Sequence, residues 1–331
     1  MTKLRWGIMG TGNIAHTFAK GLATSQTGTL VAVGSRTQEA ADKFGASYEV
    51  TRNHANYQGL VNDSEVDAIY ISLPNHLHAE WTIKCAVGKK HILCEKPFTV
   101  NYGETDAVFE AVKHNDVFLM EAFMYRCHPQ TAKLQQLIQE KAIGDVRLIQ
   151  SNFSYNLGPQ FTNIRLSNPA AGGGIMDVGC YTASMARLVA GAEPIAVAGV
   201  AHIGAVSRVD EWAVASLKFP DGCVAALSTG CEVGIDNTLR IFGSKGSIIV
   251  PNPWFPGEKD NKIVLNSNGK TEEIIVNCDV PLYSMEADTV ANYLADRQAP
   301  SPCMTWEDTL GNMATLDTWR QSIGLVFDCE K

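Results

Sequence analysis

Six residues near the start constrain the fold most. Gly10-Thr11-Gly12-Asn13-Ile14-Ala15 lies between an apolar run, Leu4 to Met9, and a stretch from Asn13 to Ala23 with helical apolar spacing. In a strand–turn–helix setting the first glycine permits the tight turn and the second leaves the backbone open to a closely approaching group. The small third residue lets helix and strand pack together. The helix N-terminus offers unpaired N–H groups to an anion. The arrangement predicts a dinucleotide pyrophosphate at Gly10, Thr11, Gly12, Asn13 and Ile14.

The alternation of short apolar runs with amphipathic segments continues to about residue 120. Leu30 to Gly34, Asp67 to Leu73, His91 to Cys94 and Val117 to Met120 read as strands. Helices are expected at Thr37 to Phe44, ended by Gly45, and at about 77–87 and 102–114. This predicts an α/β Rossmann domain with a doubly wound parallel sheet over residues 1–123. At 331 residues the chain exceeds one hydrophobic core, so a second domain is expected at 124–331. It begins with a helix near 129–141 that stops at Gly144, then a long strand from Val146 to Asn156. From about 195 to 276 strand-like segments follow one another across short turns such as Pro220-Asp221-Gly222. Such succession predicts a C-terminal α+β domain on a mainly antiparallel open sheet, closed by helices near 283–297 and 306–324. This half is expected to serve substrate binding and oligomerisation.

Composition removes several classes of function. A formal charge of −8, with no basic run beyond Lys89-Lys90, argues against nucleic-acid binding. Nine scattered cysteines, an odd number with no Cys-x-x-Cys pair, argue against a metal site or disulfide framework. No segment approaches the roughly 20 apolar residues of a membrane helix, and the N-terminus enters a strand without a signal-like apolar stretch. A cytoplasmic protein acting on a small molecule is expected, without membrane or nucleic-acid partners.

The predicted second strand ends Gly34-Ser35-Arg36-Thr37, and the first acid after it is Glu39. An NAD-specific site usually places an acid there to meet the adenine ribose hydroxyls. Arg36 can instead pair with a 2′-phosphate while Ser35 and Thr37 donate hydrogen bonds, which predicts NADP(H).

Three further motifs occur in order: Leu73-Pro74-Asn75-His76-Leu77-His78, Glu95-Lys96-Pro97, and the run Gly172-Gly173-Gly174-Ile175-Met176-Asp177-Val178-Gly179-Cys180-Tyr181. With the N-terminal turn, they make the chain resemble the glucose–fructose oxidoreductase/inositol dehydrogenase/rhizopine catabolism (Gfo/Idh/MocA) family over nearly its whole length. The resemblance is nearest to the dimeric dihydrodiol dehydrogenases and NADP-dependent sugar dehydrogenases. It implies that Lys96 is catalytic, that Glu95 and Pro97 shape the nicotinamide side of the pocket, and that Leu73 and Asn75 touch the cofactor. It further implies that Asp177 orients the substrate carbinol, that Tyr181 is the acid/base where many relatives carry His, and that the chain is a homodimer. Independently of the family, Asp177 and Tyr181 are four apart and would share one helix face. A tyrosine of ordinary pKa near 10 must fall to serve near neutrality, and the Lys96 ammonium is the group expected to lower it.

Weaker expectations attach to Arg126 and His128 as substrate contacts, and to His78 as a helix cap. Trp254, Phe255 and Tyr283 fit a pocket wall, a core or a subunit interface equally well. The predicted activity is hydride transfer with NADP(H), interconverting a secondary alcohol and a carbonyl on a sugar, polyol or cyclic diol. An NADP-binding regulator without turnover would not need Lys96, Asp177 and Tyr181 together, and a C=C or C=N reductase of the biliverdin reductase type explains these motifs less well.

Overall fold

The computed structural model describes residues 3–158 and 160–331. Leu4–Met9 (β1) forms the middle of a six-stranded, all-parallel sheet with β2 (Gly28–Gly34), β3 (Arg52–His54), β4 (Ala68–Ile71), β5 (His91–Glu95) and β6 (Leu119–Ala122). The order is β3-β2-β1-β4-β5-β6. Every residue of β4 and of β6 is buried, as a sheet covered by helices on both faces requires. The crossovers are α1 (Asn13–Leu22), α2 (Gln38–Ser47), α3 (Tyr57–Val61), α4 (His78–Val87) and α5 (Tyr102–Asn115). The strand order reverses between β1 and β4, the position where such sheets open a ligand crevice at their carboxyl ends.

Two local departures from expectation have physical causes. Helix α2 runs through Gly45 to Ser47, because Gly45 is there to clear the Asn53 side chain: a Cβ would lie 2.2 Å from Asn53 Oδ1. Strand β3 and helix α3 were not expected, and at three and five residues they are too short to carry a period.

The second sheet has eight strands in the order β14-β13-β12-β11-β7-β10-β9-β8. These are β7 (Val146–Ser154), β8 (Ala196–Ile203), β9 (Asp210–Lys218), β10 (Val224–Gly230), β11 (Leu239–Gly243), β12 (Gly246–Val250), β13 (Asn261–Ser267) and β14 (Lys270–Val276). All neighbours are antiparallel except β7 and β10. Burial alternates along β9, with Ala213, Ala215 and Leu217 inward and Trp212, Val214 and Ser216 outward. Helices α6 (Pro129–Gln139) and α7 (Cys180–Ala190) pack against this sheet, α7 on β7 and β10, and α6 on β13 and β14.

The chain divides at places other than a single boundary at 123/124. Residues up to Thr99, Gly103–Cys127 and Val280–Thr309 form one compact unit, and Val100–Tyr102, His128–Asp279 and Leu310–Lys331 form the other. Helix α8 (Leu282–Asn292) returns to the parallel-sheet unit and packs closely on α1: Gly21 lies against Tyr283, where a Cβ would sit 2.5 Å from the tyrosine Cβ. Ser284 donates to the Gly21 carbonyl at 2.6 Å, and Asp288 accepts from the Thr27 amide at 3.1 Å. Helix α9 (Trp306–Ser322) begins in the first unit and ends in the second.

Candidate functional site

In the parallel-sheet unit the two glycines of the first turn do different work. Gly10 has φ +104°, and a Cβ there would lie 2.9 Å from the Ser72 carbonyl oxygen. Gly12 is extended (φ −80°, ψ 179°), caps α1 with no side-chain hydrogen bond, and would present a Cβ to open space. No acid occupies the first turn of α1. Asn13 is exposed and Ile14 half-buried, while Ala15 is wholly buried. A cradle at Gly12 that a methyl group would fill, facing an uncapped helix N-terminus, fits a pyrophosphate.

At the end of β2, Ser35 is buried and its hydroxyl lies 3.3 Å from that of Thr11. Arg36 and Thr37 are exposed, and Thr37 caps α2 by accepting the Ala40 N–H at 3.2 Å. That bond uses the Thr37 oxygen and leaves its O–H proton to donate elsewhere. The acid expected of an NAD site is absent from the strand end, where Arg36 stands.

The ends of β4 and β5 are tied together by His78. This fully buried ring sets Nε2 2.8 Å from the Leu73 carbonyl and Nδ1 2.9 Å from the Pro97 carbonyl, and burial holds its pKa below the ordinary range. His78 therefore does more than begin α4: it joins the loop carrying Leu73 and Asn75 to the loop carrying Glu95, Lys96 and Pro97. Lys96 is half-buried and its peptide to Pro97 is cis. Glu95 is buried and accepts the Tyr70 hydroxyl, and burial together with that carboxylate pushes the Tyr70 pKa well up.

In the antiparallel-sheet unit, the glycine triplet leads into a π turn, Ile175–Gly179, that runs directly into α7. Single π turns recur at functional sites. Asp177 lies in this turn, where its Oδ2 accepts the Tyr155 hydroxyl and the Arg165 Nε at 3.1 Å. Burial and the Asp177 charge both push the Tyr155 pKa up, so its hydroxyl stays protonated and donating. Tyr181, four residues on and buried, stands edge-on to Phe153 at 5.2 Å and to Trp254 at 6.0 Å between ring centres. Trp254 stacks on Phe153 at 5.5 Å and donates its indole N–H to the Asn152 carbonyl at 2.8 Å. Trp254 thus belongs to the aromatic cluster that holds Tyr181, Phe255 is exposed beside it, and Tyr283 packs in the other unit.

Tyr155 and Arg165 were not among the expected residues. Neither lies in a recognisable motif, and each reaches Asp177 only through the fold. Arg126 and His128, expected as substrate contacts, each have partners within their own unit. Arg126 is wholly buried, with Nη2 2.9 Å from Asp308 and Nε donating to the Pro302 carbonyl. His128 caps α6, its Nδ1 accepting the Gln130 N–H at 3.0 Å, while Nε2 lies 3.1 Å from the Gly257 carbonyl and 3.2 Å from Cys278 Sγ. Among the described residues no group of three or more His, Cys, Asp or Glu is placed to hold a metal, and no helix is long and apolar enough to cross a membrane.

A parallel sheet with a glycine turn at its switch point, joined to an antiparallel sheet that carries Asp and Tyr on one helix, defines a two-domain dinucleotide-dependent oxidoreductase. The chain belongs to the Gfo/Idh/MocA family: residues 4–123 match its oxidoreductase model with an NAD-binding Rossmann fold, and residues 131–249 match a Gfo/Idh/MocA C-terminal domain. It is 30% identical over 321 residues to a D-xylose 1-dehydrogenase (NADP(+)) of Haloferax volcanii, covering 96% of this chain and 97% of that protein. It is 28% identical to the trans-1,2-dihydrobenzene-1,2-diol dehydrogenase of Xenopus laevis, covering 98% and 99% of the two chains. Among solved structures it resembles KijD10, a 3-ketoreductase from Actinomadura kijaniata in complex with NADP and TDP-benzene. The TM-score is 0.89 at 25% identity, over 97% of this chain and 98% of the other.

Proposed function

We propose that this chain is an NADP(H)-dependent oxidoreductase that interconverts a secondary alcohol and a carbonyl on a sugar, polyol or cyclic diol. The observation that carries the cofactor assignment is the open cradle at Gly12 followed by Ser35-Arg36-Thr37 where an acid would select NAD. The relatives named for D-xylose and for a dihydrodiol support the substrate class. Gly10, Thr11, Gly12, Asn13 and Ile14 hold the pyrophosphate, and Ser35, Arg36 and Thr37 hold the 2′-phosphate. Leu73, Asn75, Glu95, Lys96 and Pro97 line the nicotinamide end.

When bound, the nicotinamide supplies or accepts the hydride. Tyr181 exchanges the proton at its phenolic oxygen with the substrate hydroxyl. Lys96 favours the deprotonated oxygens by its charge. Asp177, fixed by Tyr155 and Arg165, accepts the hydrogen bond of a substrate hydroxyl and so orients the carbinol. General acid–base help of this kind contributes about 10²–10⁴-fold.

The test follows NADPH absorbance against a panel of sugars, polyols and diols. Tyr181→Phe and Lys96→Met should each lose about 100-fold or more in kcat while NADPH binding stays within a fewfold, and Arg36→Ala should erase a preference for NADPH over NADH. Undiminished kcat in both catalytic variants, or equal use of NADH by the parent, sinks these assignments.

We also propose a cytoplasmic homodimer. Nine cysteines, none in a disulfide, favour a reducing compartment. The outer face of the antiparallel sheet leaves Val200, Trp212, Val214 and Val224 exposed on adjacent strands, an apolar face suited to a second copy. Sedimentation equilibrium should find a dimer in the parent and a monomer in Val214→Asp; a monomeric parent refutes it.

A further inference from the structure

The glycine triplet before the π turn wraps a buried carboxyl. Gly173 has φ +106°, and a Cβ there would lie 2.2 Å from Asp210 Oδ1. A Cβ on Gly174 would lie 2.9 Å from the Gly230 Cα and 3.2 Å from Asp210 Oδ2, and one on Gly172 would lie 2.5 Å and 2.6 Å from the carbonyl oxygens of Ile164 and Arg165. Asp210, the first residue of β9, is wholly buried. Its Oδ2 accepts the Ile175 N–H at 2.6 Å and the Gly174 N–H also points to this carboxyl, while Oδ1 has no hydrogen-bond partner. From β10, Thr229 donates its hydroxyl to the Gly174 carbonyl at 2.9 Å. The turn is thus held at its amide side by Asp210 and at its carbonyl side by Thr229. Two residues after Ile175 comes Asp177, whose own N–H donates to the Gly173 carbonyl at 2.9 Å.

We propose that Asp210 is a positioning residue for hydride transfer: its carboxylate caps the Gly172–Ile175 turn and thereby sets the π turn that presents Asp177 and, four residues on, Tyr181. The catalytic part of this inference rests on the roles proposed above for those two residues. A negative group at the start of a helical segment is favoured by the free N–H groups and the dipole, and a charge-assisted hydrogen bond is stronger and more directional than a neutral one. A rigid cap of this kind holds the following side chains to the geometry a reaction needs, and loss of such support costs turnover more than binding.

The cap is also poised to titrate. Burial pushes the Asp210 pKa up to about 7, opposed by the backbone N–H groups and by the Arg320 guanidinium of α9. Cys231, just after β10, also senses Asp210, and the neighbouring Glu211 is turned to the Ser207 hydroxyl at 3.0 Å. A carboxyl whose pKa is raised is neutral below that value and charged above it, so the cap strengthens as pH rises through about 7.

The test is Asp210→Asn, which keeps the shape and removes the charge. At pH about 8 its kcat should fall roughly tenfold with NADPH binding within a fewfold of the parent, and at pH about 6 the two enzymes should converge. Equal kcat at both pH values in a folded variant overturns the proposal, as does an equal loss at both. If Asp210→Asn does not fold, Thr229→Val carries the test through the other side of the turn: a lowered kcat with unchanged NADPH binding supports positioning, and unchanged kcat overturns it. If the parent turns over none of the sugars or diols, the proposed activity fails on its own. Amide exchange over 174–181 then decides the cap: faster exchange in Asp210→Asn at pH about 8 supports it and unchanged exchange overturns it.

Discussion

The two glycines of the first turn should respond oppositely to the same substitution. At Gly10 an alanine must hold φ near +104° and place its methyl 2.9 Å from the Ser72 carbonyl oxygen, a backbone atom at a strand end that cannot swing aside. Strain of this kind costs about 1–3 kcal/mol, so Gly10→Ala should lower the melting temperature by several degrees even without ligand. At Gly12 the backbone is extended and nothing lies within 4 Å of the added methyl. The lower entropy of an unfolded alanine and the poorer helix cap roughly cancel, leaving apo stability within about 1 kcal/mol of the parent. In the proposed binding mode, however, the methyl stands where the pyrophosphate approaches the N–H groups of α1. Loss of one charge-assisted hydrogen bond, about 1.5–3 kcal/mol, predicts a Kd for NADPH raised about 10–100-fold. Thermal melts of the two apo variants and a titration of NADPH fluorescence read both effects. A Gly12→Ala protein that binds NADPH within about twofold of the parent would refute the cradle, and a Gly10→Ala protein that melts with the parent would refute the strain argument.

Asp308→Asn leaves the wholly buried Arg126 guanidinium without its carboxylate at 2.9 Å, which should cost about 3–5 kcal/mol in urea unfolding. A cost below about 1 kcal/mol would refute the anchoring of Arg126 by Asp308. Glu286 is wholly buried, neither carboxyl oxygen has a hydrogen-bond partner, and burial with Glu95 and Cys303 alongside holds its pKa well above the ordinary range. The folded state keeps a proton that the unfolded chain has released, so this group withdraws stability as pH rises above its unfolded pKa, by about 1.4 kcal/mol per pH unit. Glu286→Gln should therefore gain on the parent as pH increases from about 5 to 8; parallel stability curves over that window contradict the assignment.

The parallel sheet was legible because its strands, covered on both faces, appear as unbroken apolar runs such as Ala68–Ile71. The motifs at the strand ends were legible for the same reason, since each follows such a run. The antiparallel sheet showed itself through alternation, plain in β9. What escaped reading depends on pairs distant in sequence. Tyr155 and Arg165 meet Asp177 from 22 and 12 residues away, and Ser284, beside Tyr283, meets Gly21 from 263 residues away. The partners of Arg126 and His128, Asp308 and Gly257, likewise lie 182 and 129 residues on.

The glycine triplet joins what could be read and what could not. As sequence, Gly172-Gly173-Gly174 marks the approach to Asp177 and Tyr181, and a run of glycines before a helix suggests a backbone left open to a ligand, as at Gly12. The structure separates the two cases by what an added Cβ would meet. At Gly12 it meets nothing within 4 Å, open space that stands at the uncapped N-terminus of α1 and so suits the pyrophosphate proposed there. At Gly173 and Gly174 it meets Asp210 and Gly230, which is the mark of space already filled from within. A glycine of the first kind is spent on recognition and can change with little effect on the fold. A glycine of the second kind is spent on precision, because only a turn without side chains lets a buried carboxylate reach the amide of Ile175. The same residue type therefore supports binding at one end of the chain and geometry at the other, and substitution at each should separate NADPH affinity from turnover.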